Sequence, residues 1–186
     1  MNQNRIYTKE EILLRLIKKQ SHGRELSKEL AIPLSSVQRY LKSLEEQNVV
    51  DFAITGRNRV YSLKGNLVAR RYIFGAEGYK LIKLVDKYPY LEPLLRSIID
   101  SAKSNLIMLF GSYAKFAAKP DSDIDVYLET RDENLKRQLE QINTRLSVKI
   151  GKFNTTSLLI KEIVKNHVIL KGIEHYYERL GFFKDA

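Results

Sequence analysis

The chain has 186 residues, of which 44% are hydrophobic and none is cysteine, and it carries a formal net charge of +10. Without cysteine there can be no disulfide and no thiolate metal site. The N-terminus is polar and the longest apolar run, residues 106–110, is too short to span a membrane. We therefore expect a soluble cytoplasmic protein without a signal peptide, with room for one large domain or two small ones.

The excess positive charge lies mainly in the N-terminal part of the chain. Residues 1–65 hold 12 Lys and Arg against 7 Asp and Glu, whereas residues 105–186 hold 13 against 11. A basic half favours a nucleic-acid partner, although a basic surface can also serve only to keep a protein in solution.

The first 65 residues predict three helices followed by a hairpin. Helices are expected at residues 8–20, 24–30 and 35–47, the first opening on a Thr8–Glu11 capping box and the third ending at Asn48 as its C-cap. Residues 21–23 are expected to end the first helix as a turn. Strands are expected at 49–54 and 59–63, joined by a short turn that contains Gly56.

Three helices and a hairpin with a basic tip resemble a winged helix-turn-helix domain, over about residues 5–65. The phrases at residues 25–30 and 35–41 are similar to those of many bacterial and archaeal regulators. The resemblance implies that the third helix enters the major groove of double-stranded DNA and that the hairpin contacts phosphate or the minor groove. The implied contact residues are Ser35, Ser36, Gln38, Arg39, Lys42, Arg57 and Arg59. The alternative is that Arg39 and Lys42 form a solvated helix face and that the domain binds protein.

Residues 66–104 are expected to form a linker or dimerisation region. Helices are predicted at 66–87 and 90–101, separated by Pro89. The apolar residues from Leu67 to Val85 exceed what a linker needs, so the first helix either packs on the second domain or forms a homodimer.

Two short motifs follow: Gly111-Ser112, expected as a tight turn after a buried strand, and Asp123-Ile124-Asp125 on a second strand. Side chains alternate along a strand, so Asp123 and Asp125 share one face and Ile124 lies on the other. Two neighbouring carboxylates repel each other unless a cation binds between them, and Mg²⁺ (or Mn²⁺) with phosphate oxygens suits such a pair. The Gly-Ser turn offers amides and a hydroxyl that suit a polyphosphate.

After the second motif the pattern predicts a polar helix at 131–143, a third strand at 145–150, and a helix from Thr155 or Thr156 to Asn166. A short strand at 167–170 and a final helix at 172–180 complete the chain.

The segment from Gly111-Ser112 to Asp123-Ile124-Asp125 resembles the signature of the DNA polymerase β-like nucleotidyltransferases, most closely their small MNT-type branch. Ala114, Pro120 and Ser122 also fit that pattern. The resemblance implies that Asp123 and Asp125 are catalytic and hold Mg²⁺ or Mn²⁺, and that a nucleoside triphosphate, expected to be ATP, is the donor. It implies nucleotide contacts from Gly111, Ser112, Lys115 and Lys119. In MNT-type proteins the implied partner is a helical HEPN-type toxin, as in toxin–antitoxin pairs.

Two residues depart from the family pattern. The family has a third carboxylate on the next strand, but here that strand offers Ser147 and Lys149, and Lys149 is a candidate counter-ion for the aspartates. Phe116 stands where the family usually has Gly. The three histidines are expected to be structural.

These observations predict an α+β protein with three parts: a winged helix-turn-helix DNA-binding domain (1–65), a linker or dimerisation segment (66–104) and a nucleotidyltransferase-like domain (105–186). Two functions remain open. One is a DNA-binding, Mg²⁺-dependent nucleotidyltransferase that modifies a protein or small acceptor. The other is a transcriptional regulator whose transferase domain is weak or inactive and serves nucleotide sensing or dimerisation.

Overall fold

The computed structural model describes residues 8–183. They form two compact units: one comprises the residues up to Tyr79 together with Phe183, and the other runs from Lys80 to Phe182. No described helix combines the length and the apolar character that crossing a membrane requires. The α+β class predicted from the sequence is confirmed, and the N-terminal unit contains the predicted three helices and hairpin.

The N-terminal unit consists of helices and a small antiparallel sheet with strand order β1-β3-β2. Its core is built by apolar residues at helical spacing, among them Leu26, Val37, Leu41 and Leu44, all essentially inaccessible to solvent. In chain order, its elements are α1 (Thr8–Lys18), β1 (Ser21–His22), α2 (Gly23–Leu30), α3 (Leu34–Glu46), β2 (Val50–Thr55), β3 (Asn58–Leu63) and the first part of α4 (Leu67–Lys87).

Two local predictions in this unit are corrected. The turn expected after α1 contains the strand β1, in which Ser21 pairs with Tyr61, because a two-residue strand leaves no alternation in the sequence. The C-cap of α3 is Gln47, and Asn48 follows it in the left-handed conformation with φ 60°. The amide of Val49 donates to the carbonyl of Leu44, which completes the helix ending that Asn48 makes possible.

The C-terminal unit is built on a four-stranded sheet with order β6-β5-β4-β7, in which only β5 and β6 are parallel. After α4, a 3₁₀ turn at Pro89–Leu91 leads into the sheet domain. Its elements are α5 (Glu92–Ser101), β4 (Ile107–Leu109), α6 (Gly111–Ala114), β5 (Ile124–Leu128), α7 (Glu133–Glu140), β6 (Leu146–Ile150), α8 (Leu158–Lys165), β7 (Val168–Lys171) and α9 (Ile173–Leu180).

One large apolar cluster of this unit lies on one face of the sheet. Ile124, Val126 and Leu128 of β5 are fully buried there and pack in one apolar cluster with Leu95 and Ile98 of α5. The intervening residues of β5 therefore point to the opposite face, as the alternation predicts.

Several predicted boundaries in this unit shift by one to three residues. The helix expected at 131–143 spans only α7, because the Asp132 side chain caps it by accepting from the amides of Asn134 and Leu135. The cap of α8 is Ser157, not Thr155 or Thr156. The Gly111-Ser112 turn is the first turn of the short helix α6.

Gly172, between β7 and α9, adopts φ +88°, and a Cβ built on it would lie 1.9 Å from the backbone carbonyl oxygen of Asn105. A side chain at this position therefore meets both an unfavourable backbone conformation and a backbone atom that cannot rotate away.

We expect Gly172→Ala to lower the free energy of unfolding by more than about 2 kcal/mol, since it combines steric overlap with a left-handed residue. The control is Gly78→Ala in α4, where a Cβ would meet nothing within 4 Å; helix propensity predicts a gain of about 0.5–1 kcal/mol there. Urea denaturation measures both. Equal effects of the two substitutions would contradict the packing described for Gly172.

Candidate functional site

Strand β5 positions the two aspartates. Asp125 lies within the strand and is partly buried, while Asp123 immediately precedes it and is exposed. Both are on the sheet face opposite the apolar cluster, since Ile124 and Val126 point into that cluster.

Gly111 makes room for the Asp125 carboxylate. Gly111 has φ +68°, and a Cβ built on it would lie 2.2 Å from Oδ2 of Asp125. The amide of Phe110 donates to the carbonyl oxygen of Asp125 at 2.9 Å, which ties the start of α6 to β5. Only glycine tolerates both this backbone conformation and this close approach. The Gly-Ser motif and the second aspartate of the Asp-Ile-Asp motif are therefore direct neighbours in the fold.

The charge of Asp125 is poorly compensated by the protein. Burial raises the pKa of the Asp125 carboxyl, and the negative charge of Asp123 raises it further. The Ser147 hydroxyl and the Lys149 ammonium act in the opposite direction, whereas Glu162 of α8 adds to the repulsion. The net raised pKa means that a further cation beside Asp125 would be favourable.

The register of β6 decides which of its residues lies beside the aspartates. Ser147 is the direct neighbour of Asp125, and Lys149 is the neighbour of Tyr127, one step further along the same face. The position beside Asp125 is therefore occupied by the Ser147 hydroxyl, and Lys149 is an exposed residue further along β6. Among residues 8–183, no three His, Cys, Asp or Glu side chains are grouped as a metal site.

The donor set fits one hard cation. Two carboxylates leave most of an octahedron to phosphate oxygens and water, which is how Mg²⁺ is commonly bound with nucleotides. The Gly111 cradle fits the same arrangement, because it brings the first turn of α6 next to Asp125. A second cation would lack the third carboxylate that the family uses.

The predicted nucleotide-binding residues after Gly111 lie in α6, at its end and in the loop that leads to β5. Ser112 is in the first turn of α6, where backbone amides have no partner within the helix. The Lys115 ammonium is 3.9 Å from a carboxylate oxygen of Glu162. Lys119 is exposed, and its amide donates to the Ser122 hydroxyl at 2.9 Å.

Phe116 occupies a position where the backbone itself favours glycine. It follows α6 with φ +55°, its amide donates to the carbonyl of Tyr113, and the next amide, that of Ala117, donates to the carbonyl of Ser112. This pairing is the Schellman helix ending, whose left-handed residue is usually Gly. The Lys87 ammonium donates to the Phe116 carbonyl at 2.5 Å and the Lys83 ammonium lies 5.3 Å from its ring centroid, which helps to hold the turn.

A charged cluster at the far end of β5 was missed by the sequence analysis. The Glu129 carboxylate contacts Nε2 of His175 and a guanidinium nitrogen of Arg179, each at 2.6 Å. The pairing of His175 with Glu129 was not predicted, although it is compatible with the structural role expected for the histidines. The signal available in the sequence was the four-residue spacing of His175 and Arg179, which puts them on one face of α9.

Burial acts to raise the pKa of Glu129, but hydrogen bonds from His175 and from the Phe153 amide, with the charge of Arg179, outweigh it and lower that pKa. Asp125 and Glu129 are thus two carboxylates on one strand face with opposite pKa shifts.

The seven predicted DNA-contact residues lie on α3 and on the hairpin. Their side chains are exposed, except for that of Ser36, which is half-buried. Two are held by carboxylates of α3: Lys42 is 3.8 Å from Glu46, and Arg59 is 4.0 Å from Glu45 and stacks on the Phe52 ring at 4.2 Å. Arg57 lies in the turn between β2 and β3.

Comparison with known proteins defines the family of the C-terminal unit. Residues 95–175 match the polymerase beta, nucleotidyltransferase family. A protein of Methanocaldococcus jannaschii, named as a candidate protein adenylyltransferase, is 36% identical over 86 residues, covering 42% of this chain and 69% of that protein. The chain therefore belongs to the polymerase β nucleotidyltransferase family, as the sequence motif predicts.

Two solved structures are more distant. The adhesin competence repressor AdcR of Streptococcus pyogenes is 22% identical, with a TM-score of 0.40, over 50% of this chain and 69% of that one. A toxin–antitoxin complex with AMP-PNP is 24% identical, with a TM-score of 0.33, over 54% of this chain and 77% of that one.

We expect Glu129→Gln to destabilise the protein by about 1–3 kcal/mol at neutral pH, because it removes a charged, hydrogen-bonded group. Since the pKa of Glu129 is lowered, its stabilisation is complete above the ordinary value of 4.5 and is lost as the pH falls through the folded-state pKa. Thermal unfolding at several pH values should therefore show the two proteins converging in acid. Glu178→Gln, an exposed neighbour on α9, is the control. A difference that does not change with pH would contradict this account.

Proposed function

We propose that this protein binds duplex DNA through residues 1–65 and transfers a nucleotide from a nucleoside triphosphate, ATP first, through residues 105–186, with residues 66–104 as a linker or dimerisation segment. The observation that supports nucleotide transfer is the close approach of Gly111 to the Asp125 carboxylate, which places the proposed phosphate-binding turn next to a partly buried acid. With DNA and a nucleoside triphosphate as partners, the protein would act in the cytoplasm.

The proposed reaction is attack by an acceptor hydroxyl on the α-phosphorus of the nucleotide. The new O–P bond forms as the bond to the β-phosphate breaks, pyrophosphate leaves with that electron pair, and the hydroxyl proton passes to solvent. Mg²⁺ or Mn²⁺ held by Asp123 and Asp125 would neutralise charge that develops on the phosphates. Ser112 and the first amides of α6 would orient the triphosphate. Lys115 and Lys119 would stabilise the leaving pyrophosphate.

A protein is the acceptor that we propose first. The relative from Methanocaldococcus jannaschii is named as a candidate protein adenylyltransferase, which supports an adenylyl group and a protein hydroxyl. The MNT-type motif supports a HEPN-type helical protein as the partner.

A second candidate function follows from Ser147. Because this hydroxyl lies where a third acid would complete the site, the alternative proposal is a nucleotide sensor that binds Mg²⁺ and ATP without rapid transfer. The protein would then be a transcriptional regulator. A homodimer suits this second function, and the exposed apolar side chains of Leu67 and Val68 support one.

We expect Asp125→Asn to weaken Mn²⁺-dependent binding of ATP at least about tenfold, because it removes one charged ligand of the Asp123–Asp125 pair. Isothermal titration calorimetry of the full chain measures binding, and transfer of labelled ATP onto co-purified proteins measures turnover. Asp121→Asn is the matched control, since Asp121 is an exposed carboxylate in the same loop. Unchanged binding in Asp125→Asn would refute the role of this pair.

The DNA half of the proposal rests on the exposed polar face of α3. Gln38 and Arg39 carry the amide and guanidinium groups that bond base edges in pairs, and both are exposed. Arg57 in the hairpin turn suits a phosphate contact.

We expect Arg39→Ala to cost about 1–3 kcal/mol on a preferred DNA site and to relax sequence preference, because a base contact is lost. Arg57→Ala should weaken binding to all sequences alike and reduce the slope of log affinity against log salt by about 1. Fluorescence anisotropy with duplexes at several salt concentrations measures both. Arg96→Ala, an exposed arginine of α5 paired with Glu92, is the control. Equal losses in all three variants would contradict the assignment.

A further inference from the structure

Strand β6 carries a hydroxyl beside Asp125 and an ammonium two residues further on, both on the sheet face of the aspartates. Ser147 is the register neighbour of Asp125, so their side chains leave the sheet on the same face. Lys149 is two residues further on and shares that face, because Leu146 and Val148 are buried on the other.

The net charge that β6 contributes to this face can be compared with that of a hypothetical β6 in which position 147 is a carboxylate, as the family's third acid would be, and position 149 is neutral. A hydroxyl at 147 removes one negative charge, and an ammonium at 149 adds one positive charge. The difference of two units is the charge of one divalent cation. A second Mg²⁺ at this face would therefore lack a ligand and also meet a fixed positive charge.

We infer that Ser147 and Lys149 together take the place of a second metal ion, so that the site holds a single divalent cation, the one shared by Asp123, Asp125 and the nucleotide phosphates. This inference rests on the proposed nucleotide-binding function and specifies its metal stoichiometry. The fixed ammonium supplies positive charge without coordination, and it lowers the pKa of an acceptor hydroxyl far less than a coordinating metal ion does.

The inference predicts that one substitution creates the missing cation site. In Ser147→Asp a third carboxylate lies beside Asp125, and in the double variant Ser147→Asp with Lys149→Met the opposing ammonium is also removed. Glu162, which faces Asp125 from α8 and is 3.9 Å from Lys115, is the other acid that could serve as a third ligand. The test must therefore distinguish a third metal ligand at position 147 from one at Glu162.

Electron paramagnetic resonance counts Mn²⁺ bound to the full-length chain in the presence of α,β-methylene-ATP, which cannot be turned over at the α–β bond. We expect one Mn²⁺ per bound nucleotide in the wild type and in Ser147→Asn, which has the shape of Asp without its charge. We expect two in Ser147→Asp, with tighter binding of the second in the double variant. Lys149→Asp, the register neighbour of Tyr127, should still bind one.

Two Mn²⁺ ions in the wild type would overturn the inference, and a fall to one in Glu162→Gln would then assign the third ligand to α8. A second ion gained by Lys149→Asp but not by Ser147→Asp would overturn it as well. If the wild type binds neither Mn²⁺ nor the nucleotide analogue, both the inference and the proposed nucleotide function fail, which distinguishes that result from the other two.

Discussion

The C-terminal site depends on one close approach, that of the Asp125 carboxylate to the backbone of Gly111. A Cβ on residue 111 would lie only 2.2 Å from Oδ2 of Asp125, so no other residue fits there. The glycine also adopts φ +68° at the start of α6. Because of this contact, the first amides of a helix and a partly buried acid occupy the same small region. A cation that bridges carboxylate and phosphate is the ligand that such a region accommodates.

Strand β5 shows how environment separates a functional acid from a structural one. Asp125 and Glu129 lie on the same strand face, four residues apart. Burial and Asp123 raise the pKa of Asp125, whereas His175, the Phe153 amide and Arg179 overcome burial and lower the pKa of Glu129. An acid whose charge is left uncompensated is a candidate for ligand binding, while a fully paired one stabilises the fold, here by joining β5 to α9.

Local sequence patterns predicted most elements of the fold, for physical reasons that can be named. The alternation of Ile124, Asp125 and Val126 fixed which side of β5 faces the core, and the apolar spacing of Val37, Leu41 and Leu44 fixed the buried face of α3. Helix boundaries were predicted less well where several residues could serve as the N-cap, as at α8, where the cap is Ser157 and not Thr155 or Thr156.

Relationships between distant segments were not predictable from one sequence. The neighbour of Asp125 on β6 depends on how residues 129–145 return the chain, so sequence alone could not choose between Ser147 and Lys149. The pairing of Glu129 with His175 spans 46 residues, and the local spacing of His175 and Arg179 does not identify their acidic partner. Phe116 was noted only as a departure from the family's glycine, and its φ of +55° shows that the backbone at this position favours glycine.

The most direct measurement of the central claim is paramagnetic broadening of backbone amide signals by Mn²⁺ in the presence of ATP. The account predicts that broadening is strongest at the amides of Gly111, Ser112, Asp123, Asp125 and Ser147 and becomes weaker with distance toward Glu129 and His175. Broadening centred on the Glu129–His175 cluster, or none anywhere when ATP and Mn²⁺ are both present, would contradict it.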